Sequence, residues 1–233
     1  AARQGFTGPK RAFEDARGFC PTLCSEPKWE HLRNFDGFHL PEVAFKPYPC
    51  ARQLHAGVEA LLKIVRQHSL QPETVADIEL FLPAQNAAMM NRPSITPTHA
   101  ATVGSGQYVM AVTLLRGKLD LVSFEEEFLH DIRVRELMNK VKVSAGADLE
   151  QHYPKNWPGR VVVRLIDGAI HSEEVIIPKG ESGNPMSAEE VEEKFFSLAA
   201  PVLGEKEALL VKKYVVSLEE PQPFEALIST LTD

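Results

Sequence analysis

Three side chains that can bind an anion or move a proton lie close together in one short stretch, namely Lys46, Arg52 and His55. Pro47 and Pro49 hold the start of this stretch extended and exclude a helix before about residue 50. Apolar residues then recur at helical spacing up to residue 65, which predicts an amphipathic helix. Free backbone N–H groups and the helix dipole favour an anion at such a helix start. The two cations and the imidazole therefore indicate a carboxylate-binding site.

Each of these residues has a functional and a structural interpretation. Lys46, partly desolvated beside prolines and Tyr48, can bind a carboxylate or act as an acid with a lowered pKa; the alternative is a solvated loop lysine. His55 can act as a general acid or base or donate to a substrate. Its alternative is a structural histidine that ties the helix start to the preceding loop.

A second group of candidates follows later in the chain. Arg92 and His99 are further cations, and Gly104, Ser105 and Gly106 lead into a helix predicted over 105–116. The N-terminus of that helix can hold a carboxylate. The predicted catalytic residues are thus Lys46, His55 and Tyr108. The predicted substrate-binding residues are Arg52, Arg92 and Ser105.

Tyr108 also has two interpretations. A phenol in a cleft can donate to a developing oxyanion. The alternative is a half-buried core tyrosine on an amphipathic helix, with Val112 and Leu115 on the same side.

The stretch KPYPCARQLHAGVEALL, residues 46–62, resembles the signature segment of the MmgE/PrpD family. Further stretches resemble other blocks of that family in the right order, namely GFTGPKRAFEDARGF, PTHAATVGSGQYVMAVTLLRG, HYPKNWPGRVVVRLIDG and GNPMSAEEVEEKFFSLA. By position, Lys46 matches the family's active-site lysine, and His55 and Tyr108 match a family histidine and tyrosine. The sequence departs from the decarboxylase branch of the family at Ala51, where that branch has a histidine.

The resemblance implies a cofactor-free lyase that dehydrates a small tricarboxylate such as 2-methylcitrate, without an iron–sulfur cluster. Epimerisation of iminodisuccinate, decarboxylation of cis-aconitate and a non-catalytic carboxylate-binding or assembly module are the alternatives. The resemblance also implies a homodimer, and a chain that supplies only part of the site because most of the family's helical domain is absent from it.

Strands grouped in the middle of the chain with helices beside them predict an α+β fold, an antiparallel sheet with flanking helices. The resemblance implies three parts: residues 1–34 ending a helical domain, a lid domain over 35–183, and C-terminal helices over 184–233 that return to the helical domain. A strand is predicted over 75–83, a loop over 84–99, and helices over 124–129 and 131–141. Asp167-Gly168 predicts a hairpin turn, after which helices are predicted over 187–199, 205–218 and 224–231.

Composition excludes several classes of protein. The 233 residues carry a net charge of −7 with no basic block, which argues against nucleic acid as a partner. No apolar run approaches the roughly 20 residues that span a bilayer. The three cysteines, Cys20, Cys24 and Cys50, have no framework spacing, which predicts a reducing, cytoplasmic location and no metal site.

Overall fold

The computed structural model describes residues 2–5, 7–32, 37, 40–94, 96–219 and 227–229. The chain divides into two units, residues 1–41 and 42–233. Among its described residues the first unit contains the short helix α1 (Phe19–Leu23) and 3₁₀ turns at Ala2–Gln4 and Trp29–Leu32, and another 3₁₀ turn begins at its end (Leu40–Glu42). The second unit holds both the sheet and the C-terminal helices, and the predicted division at residues 34 and 183 remains a prediction.

The second unit is built on a four-stranded sheet of order β2-β1-β3-β4, which confirms the α+β class. Its strands are β1 (Val75–Leu82), β2 (Val141–Ala145), β3 (Gly159–Leu165) and β4 (Ile170–Val175). The prediction of an antiparallel sheet is wrong for one pair, because β1 and β2 run parallel. Parallel neighbours require a long crossover, and residues 83–140 supply one made largely of helices.

The predicted first strand is confirmed, but its buried face starts differently. Strict alternation of faces along residues 75–83 predicts that Val75 lies on the same, polar face as Asp77. In the structure Val75 pairs with Leu165 and Asp77 pairs with Arg164, so the register shifts between them. A bulge of this kind turns the following side chains to the other face, and Val75 is fully buried.

The helices of this unit lie before, between and after its strands along the chain. In chain order they are α2 (His55–His68), α3 (Ala84–Met90), α4 (His99–Thr102), α5 (Gly106–Arg116), α6 (Glu126–Leu129), α7 (Ile132–Met138), α8 (Ala188–Leu203) and α9 (Glu205–Val216). Helix α2 packs on β3 and β4 and on α5, and helices α3 and α5 pack on β2. The contact is close where Gly159 meets α2, because a Cβ there would lie 3.0 Å from the Gly57 nitrogen.

The loop predicted over 84–99 is wrong in its first half, which forms α3. Asn91, Pro93 and Pro97 suggested a loop, yet the residues before them, Ala84 to Met90, are mostly strong helix formers. The breakers therefore end α3 rather than prevent it. The amide of Ala87 starts the helix by donating to the Pro83 carbonyl.

The two C-terminal helices pack on each other. Ser187 caps α8 in a reciprocal capping box with Glu190. Both helices keep apolar side chains in solvent, with Val202 82% and Val216 76% exposed. Packing of these helices on a further helical domain remains a prediction, and of the helix predicted over 224–231 only residues 227–229 lie within the described residues. No helix of the described chain is long and apolar enough to cross a bilayer.

Candidate functional site

The segment that carries Lys46, residues 45–50 and called the Lys46 segment below, is held in place by contacts at both of its ends. The amide of Phe45 donates to the Gly180 carbonyl at 2.9 Å. The Lys46 ammonium donates back to the Cys50 carbonyl at 3.3 Å, and the Lys46 carbonyl accepts a hydrogen bond of 2.5 Å from the Lys194 ammonium on α8. Lys46 itself is exposed. The structure therefore holds the backbone of Lys46 in place and ties its ammonium group to the Cys50 carbonyl.

His55 opens α2 and lies directly beneath this segment, with 3% of its surface exposed. Its Nε2 lies 3.4 Å from the Cys50 carbonyl oxygen, the atom that also accepts from Lys46. A carbonyl oxygen only accepts, so this contact assigns the proton to Nε2 and leaves Nδ1 as the acceptor of the neutral ring. The structure thus brings the two predicted catalytic residues together on one carbonyl.

Burial, aided by the positive charges of Lys46, Arg52 and Lys194 and opposed by the hydrogen bond to Cys50, lowers the pKa of His55 to about 4. The ring is therefore neutral at physiological pH. The Tyr48 ring meets it edge-on with centroids 5.5 Å apart.

The Tyr48 phenol and the Cys50 thiol of this segment both stay protonated at physiological pH. Burial raises the pKa of Tyr48 to about 12 and the pKa of Cys50 to about 12. Cys50 is 3% exposed, so its thiol is a packing group rather than a nucleophile. The remaining base near neutral pH in this segment is the His55 ring.

A cavity of about 260 Å³ opens beside the segment. It is lined by Lys46, Pro47, Tyr48, Pro49, Leu119, Asp120, Leu121, Lys194, Ser197 and Leu198. Two lysines therefore line a space with largely apolar walls, where charge-assisted hydrogen bonds to a carboxylate are strengthened. His55 is not among the described residues that line this cavity.

Asp120, the carboxylate in the cavity wall, forms ion pairs with two neighbouring cations. Arg116 donates to it, and Lys118 Nζ lies 2.8 Å from its Oδ2. Burial raises the pKa of Asp120, but the hydrogen bonds from Arg116 and Lys118 outweigh this and lower it to about 2. Asp120 is therefore ionised and paired, so it leaves the charges of Lys46 and Lys194 available.

Arg52, predicted to bind substrate, forms an ion pair with Glu181 in this structure. Its Nε donates to Glu181 Oε1 at 2.7 Å, and its second nitrogen donates to Glu181 Oε2. The guanidinium also lies 4.9 Å from the Trp157 ring centroid. Arg52 thus joins the start of α2 to the 177–185 loop, and its charge acts on the site through space.

The predicted residues Arg92 and Ser105 lie together at the start of α5. Ser105 is fully buried; its hydroxyl donates to the Arg92 carbonyl at 2.8 Å and accepts from the Tyr108 amide at 3.2 Å. Ser105 is therefore the cap of α5, with its hydroxyl already engaged. The Arg92 side chain is exposed and its Nε donates to the Met89 carbonyl at 3.0 Å.

Tyr108 is only 2% exposed, and its hydroxyl donates to the Ser123 carbonyl at 2.7 Å. Burial raises its pKa to about 12. This environment fits the core-tyrosine interpretation better than the oxyanion interpretation. His99, exposed on α4, packs edge-on against Phe124 at 5.5 Å, apart from the Lys46 segment.

Lys194 also belongs to this site, although no pattern in the sequence predicts it. It lies 148 residues from Lys46 in a helix rich in glutamate, where a lysine resembles an ordinary surface charge. Only the packing of α8 beside the Lys46 segment joins them. Over the described residues, no group of three or more His, Cys, Asp or Glu side chains is placed to hold a metal ion.

Comparison with known proteins places the chain among a defined set of relatives. Residues 48–220 match the model of the MmgE/PrpD C-terminal domain. Cis-aconitate decarboxylase of Homo sapiens is 29% identical over 201 residues, 82% of this chain and 40% of that protein. The Mus musculus cis-aconitate decarboxylase is 31% identical over 173 residues, 70% of this chain and 34% of that protein.

A fungal relative matches over nearly the whole chain. The cis-aconitate decarboxylase-like protein oryM of Aspergillus oryzae is 25% identical over 251 residues, 99% of this chain and 51% of that protein. The chain thus spans about a third to a half of the length of these relatives.

Proposed function

The chain belongs to the MmgE/PrpD family, and from that premise we propose that it contributes part of the active site of a lyase acting on a small tricarboxylate. The observation that carries this proposal is the cavity of about 260 Å³ that Lys46 and Lys194 both line. Two ammonium groups between apolar walls suit a compact ligand with more than one carboxylate.

The proposed role of Lys46 is to bind a substrate carboxylate and stabilise the charge that develops on it. Decarboxylation breaks a C–C bond, releases CO₂ and leaves an electron pair that a proton then takes. Dehydration removes a proton next to a carboxylate and expels the hydroxyl as water after its protonation. Both routes pass through an enolate-like charge spread onto a carboxylate, which an ammonium group stabilises.

The proposed role of His55 is less direct. Its Nε2–H holds the Cys50 carbonyl, to which Lys46 also donates, so the ring positions the segment that carries Lys46. A neutral ring with a pKa near 4 is a hydrogen-bonding group or a base at neutral pH, and not an acid. Another group of the active site must therefore donate the proton in the reaction.

Decarboxylation of cis-aconitate is the reaction that the names of the matched relatives support. Dehydration of 2-methylcitrate is the second candidate. It is favoured by Ala51, which stands where the decarboxylase branch, as aligned from the resemblance, has a histidine. Without that imidazole, a decarboxylase would need another group to protonate the carbon that loses CO₂.

Steady-state kinetics of the full-length protein on cis-aconitate, 2-methylcitrate and iminodisuccinate tests the proposal. We expect turnover of one tricarboxylate, with CO₂ release identifying a decarboxylase and water loss a dehydratase. Turnover of iminodisuccinate alone would identify an epimerase instead. Binding of citrate by calorimetry without turnover of any of the three would identify a carboxylate-binding module and contradict the lyase.

A further inference from the structure

We propose that Lys194 of α8 is a positioning residue for Lys46 and the second carboxylate-binding cation of the cavity, so that the site selects substrates carrying at least two carboxylates. This inference rests on the proposed function, because it assigns the second ammonium group to the same substrate. It adds to that function a residue outside the Lys46 segment and a basis for substrate selection.

The contact between the two lysines is the first support. The Lys194 ammonium donates to the Lys46 backbone carbonyl at 2.5 Å, and both side chains line the cavity. An ammonium group has three donors. Over the described residues one donor of Lys194 is used by Lys46, so two remain for a ligand. The geometry lets Lys194 hold the Lys46 backbone and bind a carboxylate at once.

The anchoring of α8 is the second support. Glu190, which completes the capping box of α8, also pairs with Lys179 at 2.9 Å. The amide of Lys179 in turn donates to Glu59 of α2 at 2.8 Å. The first turn of α8 is thus tied to the helix that His55 opens. Lys194, one turn further along α8, is held beside the Lys46 segment by the same framework.

The surroundings of Lys194 leave its charge available. Asp120, the carboxylate that shares the cavity, is paired with Arg116 and Lys118. The walls next to Lys194 include Leu121 and Leu198. In such a partly apolar space two separated cations favour a ligand with two carboxylates over a ligand with one.

The kinetic test uses Lys194→Met and Lys194→Arg in the full-length protein, with Lys206→Met as the matched control. Lys206 is exposed on the adjoining helix α9 and does not line the cavity. We expect Lys194→Met to lower kcat/KM about ten- to a hundredfold, the loss of one charge-assisted contact. KM should rise, and kcat should also fall because Lys46 is displaced. Lys194→Arg should recover part of this loss, and Lys206→Met should behave as wild type.

Substrate selection provides a second kinetic arm. Inhibition constants are measured for citrate, as a probe with three carboxylates, and acetate, as a probe with one. Lys194→Met should weaken citrate inhibition about tenfold or more and acetate inhibition much less, because citrate loses its contact with Lys194 in addition to the effect of displacing Lys46. Equal weakening of both probes, or wild-type kinetics at unchanged Tm, would overturn the proposal while leaving the lyase function in place.

A substrate-free measurement separates this inference from the proposed function. The groups that bear on His55 are the charges of Lys46, Arg52 and Lys194, the Cys50 carbonyl and the Tyr48 ring. Removing the Lys194 charge should raise the NMR-measured pKa of His55 in Lys194→Met, and Lys206→Met should not change it. If wild type neither binds nor converts a tricarboxylate, the proposed function fails. An unshifted His55 pKa in Lys194→Met would separately overturn the placement of Lys194.

Discussion

A single backbone carbonyl organises the site at the scale of residues. The Cys50 oxygen accepts from the Lys46 ammonium at 3.3 Å and lies 3.4 Å from Nε2 of His55. The imidazole is buried and Lys46 as a whole is exposed, so the pair combines a fixed support with a charged residue at the protein surface. The identity of both residues was predictable from the sequence. Their meeting on one carbonyl was not, because it depends on the path of the chain between Pro47 and Ala51.

His55 should make stability depend on pH in a defined window. Its folded-state pKa of about 4 lies below the usual value of 6.5, so between these values the unfolded chain binds a proton that the folded chain does not. The contribution is complete above pH 6.5 and is lost as pH falls towards 4, on the order of 3 kcal/mol. His55→Gln removes this titration, so the wild-type unfolding free energy should fall relative to that of the variant as pH drops from 6.5 to 4. Urea unfolding at several pH values measures it, and parallel curves for the two proteins would contradict the burial of a neutral ring.

Arg52 should act on stability more than on catalysis. Its side chain is bound by both oxygens of Glu181. A double-mutant cycle of Arg52→Met and Glu181→Met should give a coupling energy of about 1 kcal/mol, as a partly exposed bidentate pair does. KM for the tricarboxylate should rise less than twofold in Arg52→Met. A tenfold rise in KM with no coupling to Glu181 would instead return Arg52 to the substrate-binding role first predicted.

At the scale of elements, the 177–185 loop sets the position of the Lys46 segment, because the two backbones touch at Gly180 and Phe45. Gly180 has a φ of +91°, and a Cβ there would lie 1.9 Å from the Phe45 carbonyl oxygen. Gly180→Ala must therefore push the segment away from the loop. We expect a loss of about 1–3 kcal/mol in unfolding free energy, together with a large fall in kcat/KM.

Gly168 supplies the matched control for this substitution. It has the same φ of +91°, but no atom lies within 4 Å of a Cβ built there. Gly168→Ala should cost about 1–2 kcal/mol in backbone strain and leave kcat/KM unchanged. Equal kinetic losses in the two variants would mean that the loop does not position Lys46.

Local patterns predicted most of the elements because their causes are local. The caps at Ser187 and Asp131, the helix of the signature segment and the turn at Gly168 all follow from nearby residues. The parallel pairing of β1 with β2 depends on a crossover of more than fifty residues, which no local pattern encodes. The contact of Lys194 with Lys46 has the same origin, since it forms only when α8 packs beside the segment.

At the scale of the whole molecule, the chain spans about a third to a half of the length of its relatives. The site proposed here holds cations and a buried neutral histidine, and an elimination also needs an acid and a base in reach of the substrate. We therefore expect the 233 residues alone to show no lyase turnover on cis-aconitate or 2-methylcitrate. Robust turnover by these residues, purified to homogeneity, would mean that the site is complete within this chain.

The proposed homodimer also belongs to this scale. Apolar side chains of α8 and α9 remain in solvent in the described chain, including Leu209 and Val215. These side chains would be buried either by a second copy of the protein or by another segment of the full-length chain. Sedimentation of the full-length protein at several concentrations distinguishes a dimer from a monomer.

The most direct test of the account is the kinetic effect of Lys46→Met in the full-length protein, with Lys206→Met as control. Lys63, on the helix of the signature segment, is unsuitable as a control because it pairs with Glu59 at 2.9 Å. Loss of a charge-assisted contact worth about 1.5–3 kcal/mol should lower kcat/KM for the tricarboxylate by roughly one to two decades. Tm should stay at the wild-type value, because the Lys46 side chain is exposed. Equal kinetics for the two variants at unchanged Tm would contradict the assignment of this cavity as the active site.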